Sequence, residues 1–156
     1  DVLKPIGFGY FDVKGIMEFC KNHIIEGIRR ENESFLKKER VGKKLSEKLI
    51  QENIDIMFPS RYGTAVLLVA ECLAEFSKKG VFVIEDYEAG AEMKITEFIF
   101  TDSVLDELLE ELHKMLDPDH DAYTSWFEED TRQQWIAHMK MVCDSIEGLK
   151  GGDGRG

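Results

Sequence analysis

Asp117, Asp119 and Asp121, followed by Tyr123, Ser125 and Glu128, fall at positions 1, 3, 5, 7, 9 and 12 of a calcium-binding loop. The chemistry is sound in outline. Hard cations such as Ca2+ take about six to eight oxygens that converge from alternate residues and a closing carboxylate. Helical patterns stand on both sides of the loop. Yet Ala122 holds the position where the sharp turn wants Gly, and Thr124 holds the apolar contact position. The exit, Glu129 to Gln133, carries no apolar residue, and no second hand accompanies the first. The preferred reading is a polar helix–helix link in which Ser125 and Glu128 form a capping box. No cofactor is therefore expected, and Ca2+ stands as the alternative.

A second set would suit a metal-dependent nuclease. Asp86 precedes Glu92-Met93-Lys94, with Glu71 upstream. Carboxylates of this kind hold Mg2+ while a Lys steadies the attacking water. Asp86 and Glu92 flank an expected turn, however, and an acidic turn is the plainer account. Histidines give little: Cys20-x-x-His23 and Glu110-x-x-His113 each share a helix face, without the further acids a metal bundle needs. Neither a Ser-His-Asp nor a Cys-His arrangement follows from spacing.

The elements that position these residues are read from hydrophobic period. Thr64 to Phe76, TAVLLVAECLAEF, is the most apolar helical run and predicts a central helix with Leu68 and Leu73 buried. It stops at Lys78-Lys79-Gly80, the expected C-terminal chemistry. Upstream, Asp12 caps a first helix whose apolar face is Val13, Ile16, Met17, Cys20, Ile24 and Ile28. Residues 33–53 predict a second, basic helix, and Pro59 and Gly63 predict a break before the central one. Residues 81–100 alternate as an antiparallel hairpin about Glu88 to Ala91. Leu105 to Leu116 and Trp135 to Leu149 then mark two more helices. The fold class expected is α+β: a mostly helical single domain, with one antiparallel β-hairpin packed on a helical layer. The domain spans residues 1–149, including an extended arm at 1–11, and ends in a flexible Gly-rich tail at 150–156.

Composition bounds the function. The net charge is −11 over 156 residues, which disfavours non-specific binding to nucleic acid or anionic membrane. No apolar run is read as approaching a membrane span. The three cysteines, Cys20, Cys72 and Cys143, are dispersed on apolar positions and read as reduced core thiols of a cytoplasmic protein. Charge is skewed along the chain. Lys14 to Lys48 carries ten Lys/Arg against six Asp/Glu, a balance of +4; Glu85 to Asp130 carries sixteen acids against two lysines, a balance of −14. The expected function is a small acidic, non-catalytic regulatory or adaptor protein. It would meet another protein, one with a basic surface, through Glu85, Asp86, Glu88 and Glu92. A winged-helix nucleic-acid module is the alternative, on the order basic helix, break, core helix, hairpin; its acidic wing would repel phosphates. A metal-dependent protein, nuclease-like or Ca2+-binding, is third. Nothing in the pattern specifies an oligomer.

Overall fold

The Asp12 carboxylate accepts a hydrogen bond from the Gly15 N–H at 3.2 Å and caps helix α1 (Val13–Lys38), the cap read from sequence. The computed structural model describes residues 9–86, 91–126 and 128–151, and for residues 9–10, 84–86 and 91–94 the backbone alone. After α1 come α2 (Lys43–Lys79), strands β2 (Phe82–Asp86) and β3 (Ala91–Ile99), and helices α3 (Asp102–Met115), α4 (Asp121–Thr124) and α5 (Glu129–Glu147); β1 (Gly9–Asp12) precedes α1. The mostly helical α+β class is as expected.

Three helical boundaries differ from the sequence reading. Residues 33–53 are not one helix. Their first part completes α1 and their last part opens α2, with the turn at 39–42 between them. Gly42 is the N-cap of α2, and Arg40 takes the left-handed conformation (φ 58°) that makes the reversal tight. Nor does the chain break at Pro59, which lies inside α2. A helical proline costs about 3 kcal/mol. Both flanks of α2 repay it by burial: Ile50 and Ile54 against α1 on one side, Tyr62 to Phe76 in the main core on the other. The capping box at Ser125 and Glu128 does not form either. Ser125 ends the short α4, its hydroxyl donating to the Ala122 carbonyl at 3.0 Å, and Glu128 precedes α5 without a side-chain cap bond.

The hairpin expectation also changes. β2 and β3 pair antiparallel, Phe82 opposite Ile95 and Glu85 opposite Glu92. They belong, however, to a mixed three-stranded sheet of order β1-β3-β2, because the end of the expected N-terminal arm enters as β1, parallel to β3. Parallel pairing needs a long crossover, which α1 and α2 supply. The connecting residues 87–90 and arm residues 1–8 lie outside the described residues.

Two cores result. The main one joins Phe11, Ile95 and Phe98 of the sheet to the first half of α1, the second half of α2, α3 and α5. Leu73 is fully buried there, but Leu68, expected beside it, is 54% exposed. Helix α3 enters through six buried apolar side chains and is capped by Thr101, whose hydroxyl accepts from Val104 N–H. The smaller core is made by α1 and α2 alone: Ile28, Leu36, Ile50 and Ile54, edged by Val41, Leu49 and Met57. The two helices thus form a long antiparallel hairpin. Within it the Asn53 side chain donates to that of Asn32, which donates in turn to the Ile28 carbonyl at 2.7 Å. A satisfied polar pair of this kind ties the register of the two helices. At the C-terminus, Lys150 pairs with Asp106, and the Gly151 N–H donates to Asp102. The first residues of the expected tail are therefore fastened to α3; residues 152–156 lie outside the described ones.

All three cysteines are buried and free. Burial raises each thiol above its ordinary value, and for Cys72, with Glu71 adding to the effect, to about 11. Because the folded value lies above the unfolded one, the associated stability is full below pH 9.0 and is lost as pH rises through about 11. Iodoacetamide at neutral pH is expected to leave the native protein unmodified over a period in which the urea-unfolded chain takes up three additions, read by mass spectrometry. Prompt native labelling of Cys72 would contradict its burial.

Candidate functional site

Helix α2 carries more apolar surface than the cores cover. Contrary to the sequence expectation, it holds an 18-residue window of mean hydropathy 1.2 with no more than two charges, long and apolar enough to cross a membrane by length and composition alone. Only 39% of that window is buried. The uncovered part includes Ile56, Pro59 and Leu67, which align on one side of the helix, at steps of three and four, with the buried Gly63.

This side forms one wall of a groove of about 600 Å³. The opposite wall comes from the end of α3 (Met115), the link that follows it (Ala122 and Trp126) and α5 (Trp135). Gly63 allows the close approach. A Cβ there would lie 2.8 Å from the Met115 methyl. The aromatic wall is built as a pile. Trp126 and Trp135 pack with centroids 6.1 Å apart, and Tyr123 meets Trp135 edge-on at 6.2 Å. Arg132 covers Tyr123 at 5.7 Å while it pairs with Glu129 at 2.8 Å. Such contacts add about 0.5–1.5 kcal/mol each beyond area and hold the rings in place.

The polar edge of the groove is acidic. Asp119, His120 and Asp121 line it, both aspartates exposed. His120 Nδ1 accepts from the Ala122 N–H at 3.0 Å and caps α4. Ser125 and Thr64, two hydroxyls on the groove, donate to the backbone carbonyls of Ala122 and Ser60. Neither hydroxyl is paired with a base, so the arrangement offers apolar contact and negative charge rather than an activated nucleophile.

The other residues singled out from sequence fall elsewhere. Of the proposed calcium ligands, Asp117 accepts from the Asp119 N–H at 2.9 Å, Asp121 begins α4, and Ser125 and Glu128 sit at helix ends as described. Among the described residues, no three His, Cys, Asp or Glu side chains converge to hold a metal ion. Glu71, proposed for a nuclease site, bonds His138 of α5 across 2.6 Å at an exposed position. In the sheet, Glu85 and Glu92 occupy opposed register positions and Asp86 opposes Ala91; Glu88 lies outside the described residues. Of the winged-helix reading, the basic segment is divided between the end of α1 and the start of α2, and from Lys43 it runs on into the core helix with no turn between them. Tyr62 lies under Lys21, whose ammonium is 5.2 Å from the ring, and its hydroxyl is pushed up to about 12, chiefly by burial and then by Glu107 and Glu111.

Sequence reasoning missed the groove. Its signal was present as the stripe Ile56, Pro59, Gly63, Leu67, which the assumed break at Pro59 concealed. No known protein family, curated protein or solved structure matches this chain.

Proposed function

We propose that this chain is a small acidic regulatory or adaptor protein that acts through protein–protein contact, and that its partner presents a basic surface. The observation that carries the reading is the groove between α2 and the α3–α5 segment. Its walls are apolar and aromatic, and its edge bears Asp119 and Asp121. A partner segment with one aliphatic or aromatic anchor between Lys or Arg residues matches both features. The anchor would bury apolar area against Ile56, Leu67 and Trp135, and the flanking cations would meet the acids. The −14 balance over Glu85 to Asp130 supports the same partner chemistry, because complementary charge steers encounter. Three buried free thiols fit a reducing compartment, the cytoplasm.

Selection from a random peptide display library tests this directly. Enriched peptides are expected to share an apolar anchor flanked by basic residues. Ile56 is 74% exposed, so Ile56→Lys should leave the fold intact while weakening binding more than ten-fold, the scale of an interface hot spot. Asp119→Lys with Asp121→Lys should slow association and flatten its salt dependence. Reversal of Glu88 and Glu92 to Lys tests whether these acids add to the same surface. Enrichment of acidic peptides, or binding indifferent to Ile56→Lys, would sink the reading.

A further inference from the structure

The tip of the α1–α2 hairpin is chemically unlike the rest of the molecule. Its last turn of α1 and first turn of α2 present two large apolar side chains to solvent, Phe35 at 61% and Leu45 at 53% exposure. Around them stand six exposed cations: Lys37, Lys38, Arg40, Lys43, Lys44 and Lys48. None of the six is in an ion pair among the described residues. Of the nearby acids, Glu33 and Glu47 are both engaged by Arg29 of α1, at 4.0 and 3.5 Å, which leaves Glu39, the exposed C-cap of α1, as the acid among the six cations. The tip is therefore a strongly positive surface with exposed apolar residues in its midst.

The net charge of the chain does not govern this surface. Helix α1 has 26 residues, so its tip stands about 39 Å from its start beside the sheet. That is several times the Debye length of about 8 Å at physiological ionic strength. An approaching surface meets the tip's own field.

We propose that the hairpin tip docks on an anionic lipid surface, with Phe35 and Leu45 entering the headgroup boundary and the cations meeting lipid phosphates and carboxylates. The pairing of charge with apolar residues decides among anionic partners. Duplex nucleic acid would use the cations and leave Leu45 without a role; a bilayer interface uses both. The rigid hairpin makes the tip a prow: the register tie of Asn32 and Asn53 and the small core of Ile28, Leu36, Ile50 and Ile54 hold it without help from the body. The docking does not rest on the groove or on its partner.

Co-sedimentation of the purified chain with phosphatidylcholine vesicles containing about a third phosphatidylserine is the test, beside vesicles of phosphatidylcholine alone. Binding is expected to the first and not to the second. Each cation near an anionic leaflet contributes on the order of five-fold in partition. Lys43→Glu with Lys44→Glu should thus reduce binding at least roughly twenty-five-fold. Phe35→Ser with Leu45→Ser, two side chains outside both cores, should reduce it on the order of ten-fold. Circular dichroism should find both variants folded. No sedimentation with the anionic vesicles overturns the proposal, as does binding that either double variant leaves unchanged. A shift of duplex DNA without vesicle binding would overturn it too, by assigning the tip to nucleic acid.

Discussion

Replacing Phe98 by alanine is expected to cost about 3–5 kcal/mol of unfolding free energy, the range for a fully buried phenylalanine. Phe98 is 0% exposed and sits on the central strand of the sheet. Its ring stacks on Phe11 with centroids 4.8 Å apart and packs against Phe76 at 4.6 Å. One side chain therefore joins three elements: β1 through Phe11, its own strand β3, and α2 through Phe76. A three-stranded sheet with two edges has little stability of its own and depends on such packing. The loss of the ring removes both aromatic contacts and leaves a cavity in the main core. Urea denaturation followed by circular dichroism reads the effect. A loss under about 1 kcal/mol would mean that the sheet is marginal to the fold.

The elements whose ends carry local chemistry were legible in the sequence. Asp12 and Gly80 each mark a helix end by a mechanism contained within a few residues: a side-chain oxygen that accepts a backbone N–H, or a left-handed φ of 71°. The α3 stripe was equally clear, since every residue of its apolar face meets the core. Errors arose where tertiary burial overrides a local rule. Pro59 reads as a breaker by its chemistry, yet it lies in a helix whose two halves are held by two different cores. The strand β1 was invisible because four residues paired in parallel across a long crossover carry no periodic signal of their own. The groove inherits both limits. It needs α2 to be continuous, and it needs Trp126 and Trp135, nine residues apart, to be brought beside Ile56 and Leu67 by packing of distant helices. The tip was half-legible: its cations were read as one basic face, but the exposure of Phe35 and Leu45 depends on the turn at 39–42.

Leu73→Ala should destabilise the protein by about 2–5 kcal/mol, while Leu68→Ala, five residues earlier on the same helix, should cost under about 0.5 kcal/mol. The two leucines stand in one apolar run, and sequence hydrophobicity alone assigns both to the core. Helical geometry separates them. Leu73 shares its side of α2 with Val66, Val69, Ala70 and Phe76, all buried, and is itself 0% exposed. Leu68 is four residues from Thr64 and three from Glu71, which places it on the polar stripe that continues to Glu75. Removing Leu73 loses transfer energy and opens a cavity in the main core. Truncating Leu68 removes a side chain more than half of which already faces water, and alanine is the better helix former. Paired denaturation curves with equal slopes give the comparison directly. Equal losses for both variants would mean that α2 is rotated so that Leu68 also meets the core, and the groove lined by Ile56 and Leu67 would be lost with it.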